Sequence, residues 1–296
     1  FKQKTAYESS LGLVGSEMCI RDRYNARVPE ALDLSTAILH DLNLSEASWL
    51  APAENMENLQ SKSENTDLVI TVGGDGTILR ATTFTGPAGI PMVGINMGRL
   101  GFMTELQVDE AMEKLPFYFN GGSRMDERNM LQATVFKANG RDTEGPFHAL
   151  NDMVLTRGAV SRVVTVAGTI DGAPVTTFRA DGVILSTATG STGYNLAVGG
   201  PILDPESDAI VLKTVAAHMG LSAAMVLKAS TEVGLTLEGY QPAILSIDGI
   251  IDHPIDLGDR VELKQSHHKV RFLRAHDSSY FFGTLTRRLG FSLRGQ

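Results

Sequence analysis

The sequence predicts an α/β N-terminal domain with a parallel sheet, then a mostly-β C-terminal domain, and a final helix. The helical spacing of residues 31–42 is followed by a short β-branched run at 68–70 and by a second helical pattern at 78–84. Strands that alternate with helices are typical of a parallel sheet with helices packed on it. From Asp126 onward the runs are strand-like, and helical spacing returns only at 280–289. We therefore expect two domains and a C-terminal helix that returns to the first.

The composition indicates a globular protein and excludes several classes. The 296 residues can bury a sizeable core, and 43% of them are hydrophobic. The net charge of −8 argues against nucleic acid as the main partner, because such binding depends on Lys and Arg. No apolar run reaches the roughly 18 residues of a membrane span, so no membrane partner and a cytoplasmic address are expected. The single Cys19 excludes an internal disulfide, and we predict no fixed metal site.

The change from alternating helical and strand-like patterns to mainly strand-like ones suggests the domain bounds. We expect the α/β domain at 24–124, the β-rich domain at 125–275 and the C-terminal segment at 276–296. Residues 1–23 do not fit this plan, because the stretch 10–23 resembles a translated sequencing-adapter sequence. We therefore predict that this segment is not native and that a first apolar strand is missing. The alternative is a divergent strand centred on residues 11–14.

A glycine-rich stretch at 71–77 is the main candidate for chemistry. It follows the predicted buried strand, and its glycines surround one acid, Asp75. A strand, a tight turn and a helix start can direct backbone N–H groups at an anion. An acid there makes sense if it binds magnesium or takes a proton from an attacking hydroxyl. The loop lacks the lysine of a Walker motif, and a plain turn with a capping Asp is the alternative.

A second stretch, residues 178–195, together with the first resembles the NAD kinase family (ATP-NAD kinase). This family belongs to the superfamily of phosphofructokinase-like and lipid kinases. Further stretches resemble it in the same order along the chain: residues 96–102, 151–152, 199–203 and 248–249. Relatives often carry Gln after the Asp-Gly pair, whereas Ile250 stands here. Related loops occur elsewhere in the superfamily, so the order of all these stretches is the specific signal.

The resemblance implies a fold and an activity. The first domain would be Rossmann-like, and the enzyme would transfer the γ-phosphoryl group of ATP, with Mg²⁺, to the 2′-hydroxyl of the adenosine ribose of NAD. Family members are dimers or tetramers, so a homo-oligomer is expected. The alternatives are a lipid or sugar kinase of the same superfamily and a non-catalytic NAD-binding sensor.

The first domain would supply the catalytic residue. The resemblance makes Asp75 the base that deprotonates the 2′-hydroxyl, with a magnesium ligand as the alternative role. Gly74 and Gly76 would bind the nucleotide, since glycine lets the backbone approach phosphate and permits positive φ. We expect a β-branched residue at Gly74 to disrupt the loop. Thr77 could contact phosphate or only start the helix.

The β-rich domain would supply most of the dinucleotide contacts. Asn151 offers a donor and an acceptor to an adenine edge, and Asp152 can accept from both hydroxyls of a diol; a simple turn is the alternative. Arg179 and Asp181 would share one face of an extended strand, or form only a surface ion pair. Arg162 matches a contact position of some relatives, though a solvated strand residue is the plainer interpretation.

A hydroxyl-rich loop follows in the second stretch. Its hydroxyls and free N–H groups suit a ribose and a pyrophosphate, and the start of the following helix favours negative charge. Tyr194 could border a base, although an isolated Tyr is more often part of a core. The residues of this loop that we expect to contact the nucleotide are Thr189, Thr192, Gly193, Tyr194, Asn195, Leu196 and Ala197.

Overall fold

The computed structural model of the chain describes residues 20–42, 49–55, 66–98, 100–158, 163–218 and 221–290. These residues form two compact units. The first contains the described residues up to Glu127 and those from Val270 onward, and the second contains those between Arg128 and Lys269. The predicted alternative strand at 11–14 lies outside the described residues.

A parallel sheet is the centre of the first unit, as predicted. Its strands are β1 (Ile20–Tyr24), β2 (Trp49–Pro52), β3 (Leu68–Gly73), β4 (Pro91–Asn96) and β5 (Leu106–Gln107), and they lie in the order β2-β1-β3-β4-β5. The end of a later strand, β17 (Arg260–Arg274), also pairs with β4 in parallel through Arg271 and Phe272. All six residues of β3 are buried, which explains its apolar, β-branched sequence.

The described residues of this unit form four helices of more than one turn: α1 (Pro29–Asp41), α2 (Asp75–Ala88), α3 (Val108–Phe119) and the later helix Tyr280–Arg288. Apolar residues of α1 and α3, such as Ile38 and Leu115, are fully buried in one core with the strands. A capping box formed by Gln107 and Glu110 begins α3. The predicted final helix is confirmed, as are the three helical patterns between residues 31 and 115.

The first strand differs from the expectation that it would be missing. β1 lies between β2 and β3, with Asp22 opposite Ile70 and Arg23 opposite Thr71. Ile20 is fully buried, as an interior strand requires. No apolar pattern marks this strand, because Asp22 and Arg23 occupy buried positions that usually hold apolar residues.

Asp22 and Arg23 are therefore buried ionisable residues inside a sheet. Both are fully buried, and neither carboxylate oxygen of Asp22 has a hydrogen-bond partner among the described residues. Burial raises the pKa of Asp22 to about 8, and the nearby Ser35 hydroxyl offsets this only in part. Arg23 donates through Nη2 to the carbonyl oxygens of Ala53 (3.0 Å) and Asn55 (2.7 Å). Its Nε and Nη1 atoms have no hydrogen-bond partner within the described part of the chain.

The second unit is mostly antiparallel β structure, as predicted. One sheet contains β8 (Asp152–Arg157), β11 (Gly182–Ser186), β12 (Ile210–Val215), β13 (Met225–Leu227), β15 (Ala243–Ile247) and β16 (Ile251–Ile255), in the order β13-β12-β11-β8-β15-β16. The other strands of the unit are β9 (Val164–Ile170), β10 (Ala173–Ala180), β14 (Val233–Glu238), β7 (Thr143–Ala149) and most of β6 (Arg124–Phe136) and β17. Strands β10, β9, β14 and β17 lie side by side, and β6 pairs with β7 and β17.

Both groups of strands contribute to one core. Leu155 and Leu185 come from the first sheet, and Val166, Leu235 and Leu263 come from the other strands; all five are fully buried. The predicted hairpin at Asp171 and Gly172 joins β9 to β10, and both residues have positive φ (49° and 78°). The one α-helix among the described residues of this unit is α4 (Tyr194–Ala197), so the helix Tyr280–Arg288 is α5.

Among the described residues, no helix is both long enough and apolar enough to span a bilayer.

Candidate active site

The glycine-rich loop connects β3 to α2, as the sequence predicted. Gly74 is the N-cap of the helix, and its carbonyl accepts hydrogen bonds from the N–H groups of Thr77 (2.9 Å) and Ile78 (3.3 Å). Asp75 is the first helical residue, where the helix dipole favours a negative charge. Thr77 is buried within the first turn of the helix.

The glycines of this loop have different roles from those expected. Gly73, Gly74 and Gly76 all lie outside the positive-φ region, and Gly74 has φ −115°. A Cβ on Gly73 would lie 2.2 Å from Thr77 Oγ1, whereas a Cβ on Gly74 would meet nothing within 4 Å. The expectation that a side chain at Gly74 breaks the loop is therefore wrong. Gly73 is the position that packing restricts, and Gly74 leaves open space above the helix start.

The Asp75 carboxylate is oriented by two backbone donors. Oδ2 accepts a hydrogen bond from the N–H of Phe102 (2.8 Å), and Oδ1 accepts one from the N–H of Met103 (3.1 Å). A Cβ on Gly101 would lie 2.3 Å from Oδ1, so only glycine fits beside the carboxylate. A carboxylate offers about four lone-pair sites, so these two bonds leave capacity for a further donor.

Two arginines from the C-terminal part of the chain form hydrogen bonds with the segment that orients Asp75. Arg288 donates through Nη1 to the carbonyl of Phe102 (2.8 Å), and Arg274 donates through Nη1 to the carbonyl of Met103 (2.8 Å). Arg274 is nearly buried and also pairs with Glu105 (3.1 Å) and Asp126 (3.2 Å). Sequence reasoning missed both arginines, because they lie some 170 to 190 residues away from the carbonyls that they contact.

A turn at Asn151 and Asp152 is the centre of the candidate site in the second unit. Asp248 Oδ2 accepts from the N–H of Leu150 (2.7 Å), and its Oδ1 accepts from the N–H groups of Asn151 (2.7 Å) and Asp152 (3.0 Å). The carbonyl of Asn151 accepts from the N–H of Thr187 (2.9 Å). Sequence reasoning recognised Asp248 only as family-like; its Asp-Gly pair was the available signal of a turn.

The two side chains of this turn line a pocket of about 400 Å³. Its other lining residues come from β8, β15, the turn after β15 and the start of α4: Val154, Thr156, Tyr194, Ser246, Asp248 and Gly249. The Oδ1 atom of Asn151 is buried and has no hydrogen-bond partner among the described residues. A buried polar atom without a partner is costly, so a ligand donor at this position would stabilise the site.

Two buried carboxyl groups face this region. Burial, together with the negative charge of Asp248, raises the pKa of Asp152 to about 7. Burial also raises the pKa of Asp248 to about 6, and the three backbone hydrogen bonds oppose that rise. The two groups therefore titrate as a coupled pair near neutral pH.

The hydroxyl-rich loop packs against the same turn. Thr189–Thr192 form one 3₁₀ turn, and a Cβ on Gly190 would lie 2.0 Å from the carbonyl oxygen of Asn151. Tyr194 is 44% exposed and borders the pocket, whereas Asn195 is fully buried. Asn195 donates through Nδ2 to the carbonyls of Ser191 (3.1 Å) and Pro201 (2.9 Å), so its amide holds the loop together.

The following helix is shorter than expected, and the remaining candidate residues of the loop are at least partly exposed. The helix that was expected to attract negative charge has only four residues, Tyr194–Ala197, so its dipole is small. Gly193 and Ala197 are exposed, and Leu196 and Thr192 are half-buried, so these residues remain accessible. Their contacts with nucleotide stay a prediction.

The pair Arg179 and Asp181 does not lie on one strand. Arg179 is exposed on β10, and Asp181 lies between β10 and β11. The assumption of one extended face was wrong because the chain passes from one sheet to the other at Asp181. Asp181 instead pairs with Arg157 (3.2 Å), which sequence reasoning missed. Arg162 lies outside the described residues.

The described residues contain no group of three or more His, Cys, Asp or Glu side chains that could hold a metal ion. Mg²⁺ in phosphoryl-transfer sites is often bound by one or two carboxylates together with substrate phosphates. Asp75 at the glycine loop is a donor of this kind.

Comparisons with known proteins agree with this geometry. The family described as the ATP-NAD kinase N-terminal domain matches residues 16–123, and the ATP-NAD kinase C-terminal domain matches residues 150–275. An NAD kinase of Dehalococcoides mccartyi (strain CBDB1) is 39% identical over 267 residues, which are 90% of this chain and 94% of the relative. An NAD kinase of Chloroflexus aggregans is 41% identical over 223 residues, which are 75% of this chain and 80% of the relative.

Solved structures share the fold. A yeast NADH kinase complexed with NADH has a TM-score of 0.80 at 22% identity, over 95% of this chain and 91% of the yeast chain. An NAD kinase from Archaeoglobus fulgidus in complex with ATP has a TM-score of 0.74 at 22% identity, over 93% of this chain and all of the archaeal chain.

The sequence identity to bacterial NAD kinases extends over nearly the whole chain and both matched domains. It excludes the alternative of a lipid or sugar kinase from the same superfamily. The glycine loop with Asp75, the pocket at Asn151 and Asp152 and these matches together show that the chain belongs to the ATP-NAD kinase family of phosphotransferases.

Proposed function

We propose that this chain transfers the γ-phosphoryl group of ATP to the 2′-hydroxyl of the adenosine ribose of NAD, with Asp75 as the base. The observation that carries the proposal is the pocket in the second unit. There the buried Oδ1 of Asn151 has no hydrogen-bond partner among the described residues, and Asp152 lines the same pocket. An amide acceptor next to a carboxyl group suits an adenine edge and a ribose diol.

Asp75 accepts the proton of the 2′-hydroxyl as the ribose oxygen attacks the γ-phosphorus. The new O–P bond forms while the bond from the γ-phosphorus to the bridging oxygen breaks, and ADP leaves. The N–H groups of Phe102 and Met103 support this role because they fix the orientation of the carboxylate. A positioned base contributes about 10²- to 10⁴-fold to the rate.

Mg²⁺ is part of the proposal as the partner of ATP, where it would neutralise charge on the phosphates. The residue that could bind it is Asp75, which is the alternative role of this carboxylate. The open space over Gly74 supports close approach of phosphate to the start of α2.

In the second unit, some residues are proposed to contact NAD and others to hold the loop that presents them. Asn151, Asp152 and Tyr194 line the pocket and would contact NAD directly. Thr189 and Asn195 are nearly or fully buried, so we propose that they hold the loop in place. The exposed or half-buried contact candidates are Thr192, Gly193, Leu196, Ala197, Arg179 and Asp181.

The experiment is NADP formation from NAD, ATP and Mg²⁺ by the purified chain, beside the variants Asp75→Asn and Asp33→Asn. Asp33 is exposed on α1 and is the matched control for loss of one carboxylate. We expect Asp75→Asn to lower kcat by about 10²- to 10⁴-fold with little change in the KM for NAD. A folded wild-type chain that binds NAD but forms no NADP would support the sensor alternative and refute the proposal.

We also propose a homo-oligomer, a dimer or tetramer, and a cytoplasmic location. Light scattering coupled to gel filtration tests the first, and cell fractionation tests the second. A monomer that is fully active at assay concentration would refute the oligomer as a requirement for activity.

A further inference from the structure

Asp248 stands out because it has an unusual backbone conformation. It follows β15 and has φ +51°, and the next residue, Gly249, has φ +65°. The N–H of Ile250 donates to the carbonyl of Ile247 (2.9 Å), which closes the turn. Positive φ at both central residues is typical of a type I′ turn, and Asp tolerates this region better than most residues. This conformation directs the carboxylate away from its own turn and toward the start of β8.

The carboxylate of Asp248 accepts hydrogen bonds from three successive backbone N–H groups. Its carboxylate accepts from the N–H groups of Leu150, Asn151 and Asp152 at 2.7, 2.7 and 3.0 Å. In return, the N–H of Asp248 donates to the carbonyl of Asp152 (3.0 Å). Hydrogen bonds to an ionised group are about twice as strong as neutral ones. No other described side chain accepts from these three N–H groups.

The remaining carbonyls of the same segment are bound from the opposite side. Thr187 donates through Oγ1 to the carbonyl of Leu150 (2.6 Å), and its N–H donates to the carbonyl of Asn151 (2.9 Å). All six backbone polar groups of residues 150–152 therefore have partners. The side chains of Asn151 and Asp152 are left to face the pocket.

We propose that Asp248 is a positioning residue of this site: its carboxylate fixes the backbone of residues 150–152 and thereby aims the side chains of Asn151 and Asp152 at bound NAD. This inference rests on the proposed binding of NAD in the pocket. Asp248 acts through its neighbours and is assigned no contact with the reacting atoms.

The charge of Asp248 gives the proposal a second readout. The titratable residues that line the pocket are Asp152, Asp248 and Tyr194. Burial and the charge of Asp248 together raise the pKa of Asp152 to about 7. Removal of the Asp248 charge therefore lowers the pKa of Asp152, and any pH dependence of NAD binding that follows Asp152 moves to lower pH.

The test compares Asp248→Asn with Asp171→Asn. Asp171 occupies the other Asp-Gly turn with positive φ (49°) in the same unit, and its carboxylate accepts one backbone hydrogen bond, from Glu232 (2.9 Å). Asn at position 248 presents one amide nitrogen to the backbone donors, so at least one N–H loses its acceptor. The side chains of Asn151 and Asp152 then lose their fixed orientation, and we expect a KM for NAD that is about 10- to 100-fold higher.

Steady-state kinetics of NADP formation between pH 5.5 and 9 give the result. We expect Asp248→Asn to raise the KM for NAD, to leave the KM for ATP within about twofold and to shift the pH profile of the KM for NAD downward. Asp171→Asn should match the wild type. A KM for NAD in Asp248→Asn equal to that of Asp171→Asn overturns the proposal. Absence of NADP with the wild type overturns the proposed function instead.

A second variant covers the case in which Asp248→Asn does not fold. Thr187→Val removes the hydroxyl that binds the carbonyl of Leu150 from the other side of the segment. It leaves both carboxyl groups in place, so it should raise the KM for NAD without the downward shift of the pH profile. An unchanged KM for NAD in a folded Thr187→Val variant also overturns the proposal, because the backbone of residues 150–152 would then not control binding.

Discussion

Replacement of Asp22 by valine should stabilise the protein. The size of the gain in the free energy of unfolding follows from the burial of Asp22. The unfolded chain releases the Asp22 proton with an ordinary pKa of 3.8, whereas burial raises the pKa to about 8 in the folded protein. At pH 7 the folded state must therefore keep a proton that the unfolded state has lost. Each pH unit between 3.8 and 7 costs about 1.36 kcal/mol, so the total cost is about 4 kcal/mol.

The sign of the pH dependence is opposite to that of a salt-bridged aspartate. The unfolded state binds fewer protons than the folded state between pH 3.8 and about 8, so wild-type stability falls as the pH rises through this window. The advantage of Asp22→Val is about 4 kcal/mol at pH 7 and shrinks to roughly 2 kcal/mol at pH 5. Valine suits a buried strand because it is apolar and β-branched.

Urea unfolding at pH 5, 6, 7 and 8 measures the difference in stability between Asp22→Val and wild type. Circular dichroism monitors the unfolding, as does the fluorescence of the single tryptophan, Trp49, which belongs to β2 beside β1. Asp22→Asn is the matched control, because it keeps the shape and polarity of the side chain but cannot titrate. It should lose the pH dependence and gain less stability than Asp22→Val. Equal stability of Asp22→Val and wild type at pH 7, or an unchanged pH slope, would refute the reasoning.

Four further predictions concern residues of the two sites. Gly73→Ala should lower stability by about 1–3 kcal/mol, because its Cβ would lie 2.2 Å from Thr77 Oγ1. Gly74→Ala should melt within about 2 °C of wild type while kcat/KM for ATP falls, if phosphate uses the open space there; unchanged kinetics would count against that use. Gly190→Ala should abolish NAD-induced thermal stabilisation, because a Cβ would overlap a backbone carbonyl. Arg288→Leu should lower kcat by a larger factor than it changes the KM for NAD. A larger change in the KM for NAD than in kcat would contradict the role of Arg288 beside the base.

The periodicity of the sequence was sufficient to predict the layers of each unit. The buried run of β3 and the helical spacing of α1 and α3 depend on local pattern, and the structure confirms them. β1 could not be found in this way, because Asp22 and Arg23 occupy positions that normally require apolar residues. The prediction that residues 1–23 are not native stays a prediction, and two buried ionisable residues in an interior strand are consistent with it.

The candidate sites were harder to predict because their geometry depends on contacts between distant residues. The sequence identified Asp75 and Asn151, but the groups that orient them lie far along the chain at Phe102 and Asp248. Disruption was expected from a β-branched residue at Gly74, whereas packing restricts Gly73, because spacing alone does not tell which glycine faces a neighbouring side chain. Asn195 was predicted as a nucleotide contact, yet it is fully buried and bonded to backbone carbonyls.

The two arginines that fasten the segment beside Asp75 have a consequence for synthesis on the ribosome. Arg274 and Arg288 emerge long after β3 and α2, since the whole second unit is translated between them and the first part of their own unit. Domains generally fold in the order in which they are made. Here the second unit can complete its folding first, while the first unit waits for its last segment. A chain that ends at residue 269 and has been released from the ribosome should therefore contain a protease-resistant second unit and no ordered Asp75.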